Sequence, residues 1–96
     1  MTHTPTSDGI LRVKATSNVN STAAKICYTV EEDTSRVVEV RAMGAGSVNQ
    51  AVKAIAVARG MLGNRAYDLN CKIGFDKVQG DTEESVSVLV FRLTVS

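Results

Sequence analysis

The sequence has no tryptophan, and its aromatic complement is four residues: Tyr28, Tyr67, Phe75 and Phe91. Proteins that read single-stranded nucleic acid by stacking bases on aromatic rings need a platform that this chain lacks. One histidine, His3, and two cysteines, Cys27 and Cys71, are too few for a zinc centre with four Cys, His or carboxylate ligands. No metal or other cofactor is expected. A Ser-His-Asp or Cys-His catalytic group would have to use His3, which sits in a Thr/Ser/Pro leader of the kind that stays mobile. The chain is therefore not read as an enzyme. No apolar run approaches the ~18–20 residues that span a bilayer. Residues Met1 to Asp8 lack the basic-then-apolar layout of a secretory signal. The expectation is a cytoplasmic protein with no membrane partner, whose two cysteines are buried and reduced, a single disulfide being the alternative. Eleven basic and ten acidic residues leave a net charge of +1, which excludes a dominant polybasic arm or acidic tail.

What remains is a chain of 96 residues, 44% of them apolar. That is one domain, expected over residues 9–96 after a disordered leader at 1–8. Leu11, Val13 and Ala15 alternate with Arg12, Lys14 and Thr16, the pattern of a half-buried strand with a basic outer face. Ser17, Asn18 and Asn20 offer caps for a helix whose apolar stripe is Val19, Ala23, Ile26, Cys27 and Val30. The acids Glu31, Glu32 and Asp33 oppose the helix dipole there, so the helix is expected to stop or fray near Val30. A second strand over Arg36 to Met43 turns Val38, Val40 and Ala42 inward.

Gly44-Ala45-Gly46 follows, and Ser47 with Gln50 forms a capping box at the head of an Ala-rich helix running from Val48 to Leu62. Val48, Ala51, Val52, Ile55, Ala58 and Leu62 form its predicted core stripe. Ala54, Val57 and Met61 form a further apolar sector that suggests a partner surface. Tyr67 to Phe75 alternates again, with Leu69, Cys71, Ile73 and Phe75 on one face. Residues 76–83 read as a hairpin connection with its tip at Gly80-Asp81. The last strand, Ser85 to Val95, is apolar on both parities in its middle, which makes it central, bulged or part of an interface. The order β-α-β-α-β-β predicts an α/β (α+β) two-layer sandwich. Strands one and two pair in parallel through a right-handed crossover, the terminal hairpin makes the four-stranded sheet mixed, and both helices cover one face.

The locally unusual feature is Gly44-Ala45-Gly46-Ser47 between strand and helix. Free backbone amides and the positive end of a helix dipole suit an anion. The segment is neither a G-x-G-x-x-G fingerprint, since position 49 is Asn49, nor a P-loop. A plain strand-to-helix turn is the simpler account of the same residues. Residues 36–65 carry a net charge of +4, against −3 for the rest of the chain, so cations gather around this turn.

The stretch Val40-Arg41-Ala42-Met43-Gly44-Ala45-Gly46-Ser47-Val48-Asn49-Gln50-Ala51-Val52-Lys53-Ala54, closing on Ala58-Arg59-Gly60, resembles the signature of the stage V sporulation protein S (SpoVS) family. Leu11-Arg12-Val13-Lys14-Ala15 and Asp68-Leu69 fit it as well. The resemblance implies an Alba-like fold and a dimeric, nucleic-acid-binding regulatory protein of bacterial type. Two features depart from Alba proteins: Ser17 to Asn20 lack the lysines found in their first loop, and the hairpin tip carries Asp81, Glu83 and Glu84 rather than bases. Phosphate contacts are therefore expected at Arg41, Gly44, Ala45, Gly46, Ser47, Asn49 and Lys53, with little sequence preference. Self-association is expected through Ala54, Val57, Met61 and Val88. Two other readings stand beside this one: an oligomeric interaction module that binds no nucleic acid, and a small-molecule phosphate site at Gly44 to Ser47.

Overall fold

Alternating apolar residues place two short and two long segments in one sheet, and two helical stripes close over it. The computed structural model describes residues 8–79 and 85–96. Strands β1 (Ile10–Val13), β2 (Val38–Ala42), β3 (Leu69–Gln79) and β4 (Ser85–Val95) form a sheet of order β1-β2-β4-β3. Helices α1 (Val19–Glu32) and α2 (Ala45–Gly63) pack on each other and on the sheet in a two-layer α+β arrangement. β1 and β2 are parallel, and both pairings of β4 are antiparallel.

The inward parities meet in register. Val38 lies opposite Leu93, Val40 opposite Phe91 and Leu11 opposite Val40, all buried. Ala23, Ile26, Cys27 and Val30 of α1 close over them. β4 is the central member of the hairpin pair, which explains its apolar residues on both parities. Phe91 and Leu93 face the helices, while Val88 and Val90 are buried on the other side. There the Arg41–Asp76 ion pair joins β2 to β3 across β4 and shields that apolar strip.

Four local expectations are corrected. First, α1 runs past Val30 to Glu32, because Glu31 pairs with Arg65 and Asp33 leaves the helix to accept hydrogen bonds from Ser35 N–H and Oγ. Those bonds hold the Asp33 carboxyl below its ordinary pKa. Second, residues 76–79 are strand rather than connection, paired with residues 85–88 of β4. The expected tip at Gly80-Asp81 and residues 1–7 of the expected leader at 1–8 lie outside the described residues.

Third, α2 starts at Ala45 with Gly44 as its cap, so Ser47 lies buried inside the first turn and makes no capping box. Gln50 instead donates from Nε2 to the Ser17 carbonyl at 2.8 Å. Fourth, the buried stripe of α2 is Ala51, Ala54, Ala58 and Leu62, rotated from the predicted one. Ala54 is 0% exposed, so it cannot contribute to a surface, and Val52 points to solvent. Three alanines let α2 approach its neighbours closely, as the contact from Cys27 Sγ to the Ala58 carbonyl shows. The bulkier Val48, Ile55 and Met61 are left at the margins of the core.

Candidate nucleic-acid interface

Parallel pairing decides where the chemistry gathers. β1 and β2 each run directly into a helix, so both helices begin at the carboxyl end of the same strand pair, the end at which open α/β sheets bind ligands. Two contacts lock these starts together. Gln50 holds the Ser17 carbonyl, and Gly46 lies so close to the β1–α1 turn that a Cβ there would sit 2.9 Å from Ala15 Cβ.

At α1 the start is capped by Asn18, whose Oδ1 accepts from the Ser21 amide at 2.9 Å. At α2 the cap is Gly44, with φ +88° and ψ 157°, a backbone region open essentially to glycine alone. No side chain caps α2, and the Gly44 carbonyl already accepts from Val48 N–H. The amides of Ala45 and Gly46 therefore open an exposed helix start. Neither helix has an acidic residue in its first turn. Two positive dipole ends thus lie side by side without a local carboxylate to neutralise them.

The predicted site residues divide over this region. Gly44, Ala45, Gly46 and Asn49 are exposed around the α2 start, and Lys53 is exposed about 12 Å further along the helix by its 1.5 Å rise per residue. Ser47 is buried and offers no open hydroxyl. Arg41 lies apart, on the sheet face away from the helices. It bonds Asp76 at 2.5 Å, and Glu39 lies 3.8 Å from it. The Arg41 hydrogen bond and charge hold the Asp76 carboxyl below its ordinary pKa. Arg41 is thus a bridging cation of the sheet rather than a free one at the glycine turn.

Two exposed cations that sequence reasoning left out lie on β1 and the turn after it. Lys14 is exposed at the mouth of the β1–α1 turn, held there by its amide donating to Ser17 Oγ and by its carbonyl accepting from Ser17 N–H. Arg12 is exposed on β1 directly opposite Arg41, and the two flank a shallow cleft of about 430 Å³ with Met43 and Val88. A second cleft, about 470 Å³, lies between β1 and the start of α1 and is lined by Arg12, Lys25, Ser17 and Ser21. The parallel pairing brings the end of β1, where Lys14 follows, beside the glycine turn, whereas it sets Arg12 with Arg41.

Of the expected self-association residues, Val57 and Met61 reach the surface at least in part, whereas Ala54 and Val88 are covered within the chain. Cys27 is buried and free, as expected. Cys71 is also free but exposed, because β3 extends beyond the cover of the helices. Desolvation raises both thiol pKa values. Among the described residues no group of three or more His, Cys, Asp or Glu could hold a metal ion, and no helix is long and apolar enough to cross a membrane.

Residues 9–96 match the model of the family described as Stage V sporulation protein S (SpoVS). The match starts where the described sheet starts and runs through β4, the element order and mixed sheet are consistent with an Alba-like arrangement, and the chain belongs to the SpoVS family.

Proposed function

We propose that this SpoVS-family protein is a non-enzymatic, nucleic-acid-binding regulator of the cytoplasm that grips the phosphate backbone with little regard to sequence. The observation that carries this reading is the pair of adjoining helix starts at the carboxyl end of β1 and β2. They have exposed amides at Ala45 and Gly46 and no acid in either first turn, with Lys14 exposed at the β1–α1 turn and Lys53 exposed about 12 Å further along α2. Amides, dipole ends and lysines bind phosphate and fix orientation without reading base edges. The two free thiols agree with a reducing compartment.

The test is an electrophoretic shift with single- and double-stranded DNA and RNA at two salt concentrations. Lys53→Glu and Lys14→Glu are each expected to weaken binding by a similar factor on unrelated sequences. Each should flatten the log–log salt slope by about one unit or more. Replacing Asp81 and Glu83 by Ala, at positions outside the described residues, should leave binding unchanged or slightly stronger, because acids only repel phosphate. Weaker binding after that double change with both lysine variants silent would place the site on the hairpin. No binding by the native protein at low salt would leave the second reading, a homo-oligomeric interaction module. The exposed Ile73 and Phe75 favour that second reading.

A further inference from the structure

The edge of the sheet formed by β1 opens onto a groove. β1 pairs with β2 alone, and on its free side a cleft of about 470 Å³ separates it from α1. All four β1 residues form one wall. Asn18, Ser21, Thr22 and Lys25, which recur at helical spacing, form the other. The Glu39 amide donates to the Gly9 carbonyl, so Gly9, Leu11 and Val13 turn their backbone groups toward β2. Ile10, Arg12 and Lys14 turn theirs the other way. Asp8 Oδ1 accepts from the Ile10 amide, and Ser17 satisfies both groups of Lys14. The Ile10 carbonyl, the Arg12 amide and the Arg12 carbonyl are left as an open acceptor, donor and acceptor in a row. Such a row is a template for another strand.

Charge in the groove has one sign. Arg12 and Lys25 line it, Lys14 stands exposed just past the end of β1, and no acidic residue lines it. None of these three cations has an ion-pair partner among the described residues. We propose that an extended acidic segment of a partner protein lies in this groove and adds to the sheet antiparallel to β1, as a fifth strand. A peptide backbone offers N–H and C=O in alternation, which answers an amide flanked by two carbonyls. Phosphate groups offer acceptors alone and would face those carbonyls unpaired. Antiparallel pairing is slightly the more stable per residue, and it sets one partner residue opposite Arg12, exchanging two hydrogen bonds with it. The N–H two residues further on meets the Ile10 carbonyl. The side chain opposite Arg12 shares its face of the sheet, and the next one lies on the helix side with Lys25. Carboxylates at these two neighbouring positions therefore each meet a cation. Residues 1–7 of this chain carry no carboxylate and do not answer that charge.

This surface stands independently of phosphate binding at the α2 start. The probe is a fluorescein-labelled, end-blocked peptide, Thr-Glu-Val-Glu-Glu-Val-Thr, which sets its central acids at Arg12 and Lys25 and a valine opposite Ile10. Fluorescence anisotropy at low salt is expected to show saturable binding, absent when lysine replaces every glutamate. Arg12→Glu and Lys25→Glu should each weaken binding by about tenfold or more, because attraction becomes like-charge repulsion. Both side chains are exposed, so the circular dichroism spectrum should not change. On peptide binding, amide exchange followed by NMR should slow at Arg12 and stay unchanged at Leu11 and Val13, whose amides already bond to β2. N-methylation of the fourth peptide residue, whose N–H meets the Arg12 carbonyl, should abolish binding, and N-methylation of the fifth should be silent. The opposite pattern overturns the antiparallel pairing. No saturable binding, binding that both charge reversals leave intact, or binding without protection at Arg12 overturns the proposal. So does an oligonucleotide whose binding Ser21→Trp weakens while the peptide does not bind, which would give the groove to nucleic acid.

Discussion

Replacing Gly46 by alanine tests the contact that assembles the candidate site. Glycine in a helix costs roughly 0.5–1 kcal/mol relative to alanine, so the substitution alone favours the helical state. The structure opposes this gain. A Cβ on Gly46 would lie 2.9 Å from Ala15 Cβ, whereas ordinary carbon–carbon contacts fall at about 3.5–4.0 Å. The β1–α1 turn or the first turn of α2 must then move by roughly half an ångström or more. Overpacking of this kind costs about 1–3 kcal/mol. The expected balance is a loss of about 1 kcal/mol. Gly60 provides the control within the same helix, because nothing lies within 4 Å of a Cβ built there. Gly60→Ala should stabilise by up to about 1 kcal/mol.

Urea unfolding followed by circular dichroism measures both variants. With a slope of roughly 1–3 kcal/mol per molar, the two midpoints should separate by about 1 M, moving in opposite directions at unchanged slope. Adding Ala15→Gly to Gly46→Ala should recover most of the loss, since it removes the atom that the new methyl meets. Equal stabilisation by Gly46→Ala and Gly60→Ala would refute the close approach of the turn to α2. So would failure of Ala15→Gly to rescue. The same cycle should appear in nucleic-acid affinity, because the clash pushes the two helix starts apart.

Two further outcomes follow from single residues. Cys71 should react with a thiol reagent far faster than Cys27, whose labelling should wait on opening of the core. Comparable rates for the two, or a mass showing an internal disulfide, would contradict the placement of β3. Asp76 should contribute a stability that depends on pH. Its folded pKa lies below the unfolded value of about 3.9, so the contribution is fully present above that value and is lost as pH falls through the lower folded one. The unaltered protein and Asp76→Asn should therefore differ in urea midpoint at neutral pH and converge in acid. A constant difference across the range would mean that Arg41 does not hold the carboxylate.

The elements were legible wherever periodicity met an abrupt local stop. The alternations at Leu11/Val13 and Val38/Val40/Ala42 became β1 and β2, and the two-faced run from Val86 to Val90 became the central strand of the hairpin pair. Boundaries failed where a side chain found a distant partner. Glu31 ought to weaken a helix end, but Arg65, far along the chain, neutralises it. Gln50 fits a capping box in sequence, but Ser17 offers a better-placed acceptor. The rotation of the α2 stripe was hidden for another reason. In a helix so rich in alanine, most faces are apolar, and the face that is buried is the one small enough to approach closely. Periodicity cannot rank such faces, because it weighs apolarity and not size.

The candidate site was half legible for a related reason. A glycine turn before a helix is a local feature, and Gly44 to Gly46 could be found from local order alone. Lys14 could not, since its relevance depends on β1 and β2 being parallel and on Gln50 and Gly46 drawing the first turn against the second. Arg41 went astray by parity. It is one residue from the buried Ala42, so a strand that turns Ala42 toward the helices must turn Arg41 to the opposite face, where Asp76 meets it. Nearness in sequence to the glycine turn therefore places Arg41 on the wrong layer. Lys14 follows the buried Val13, the partner of Ala42, and stands exposed where β1 passes into the turn that Gly46 approaches.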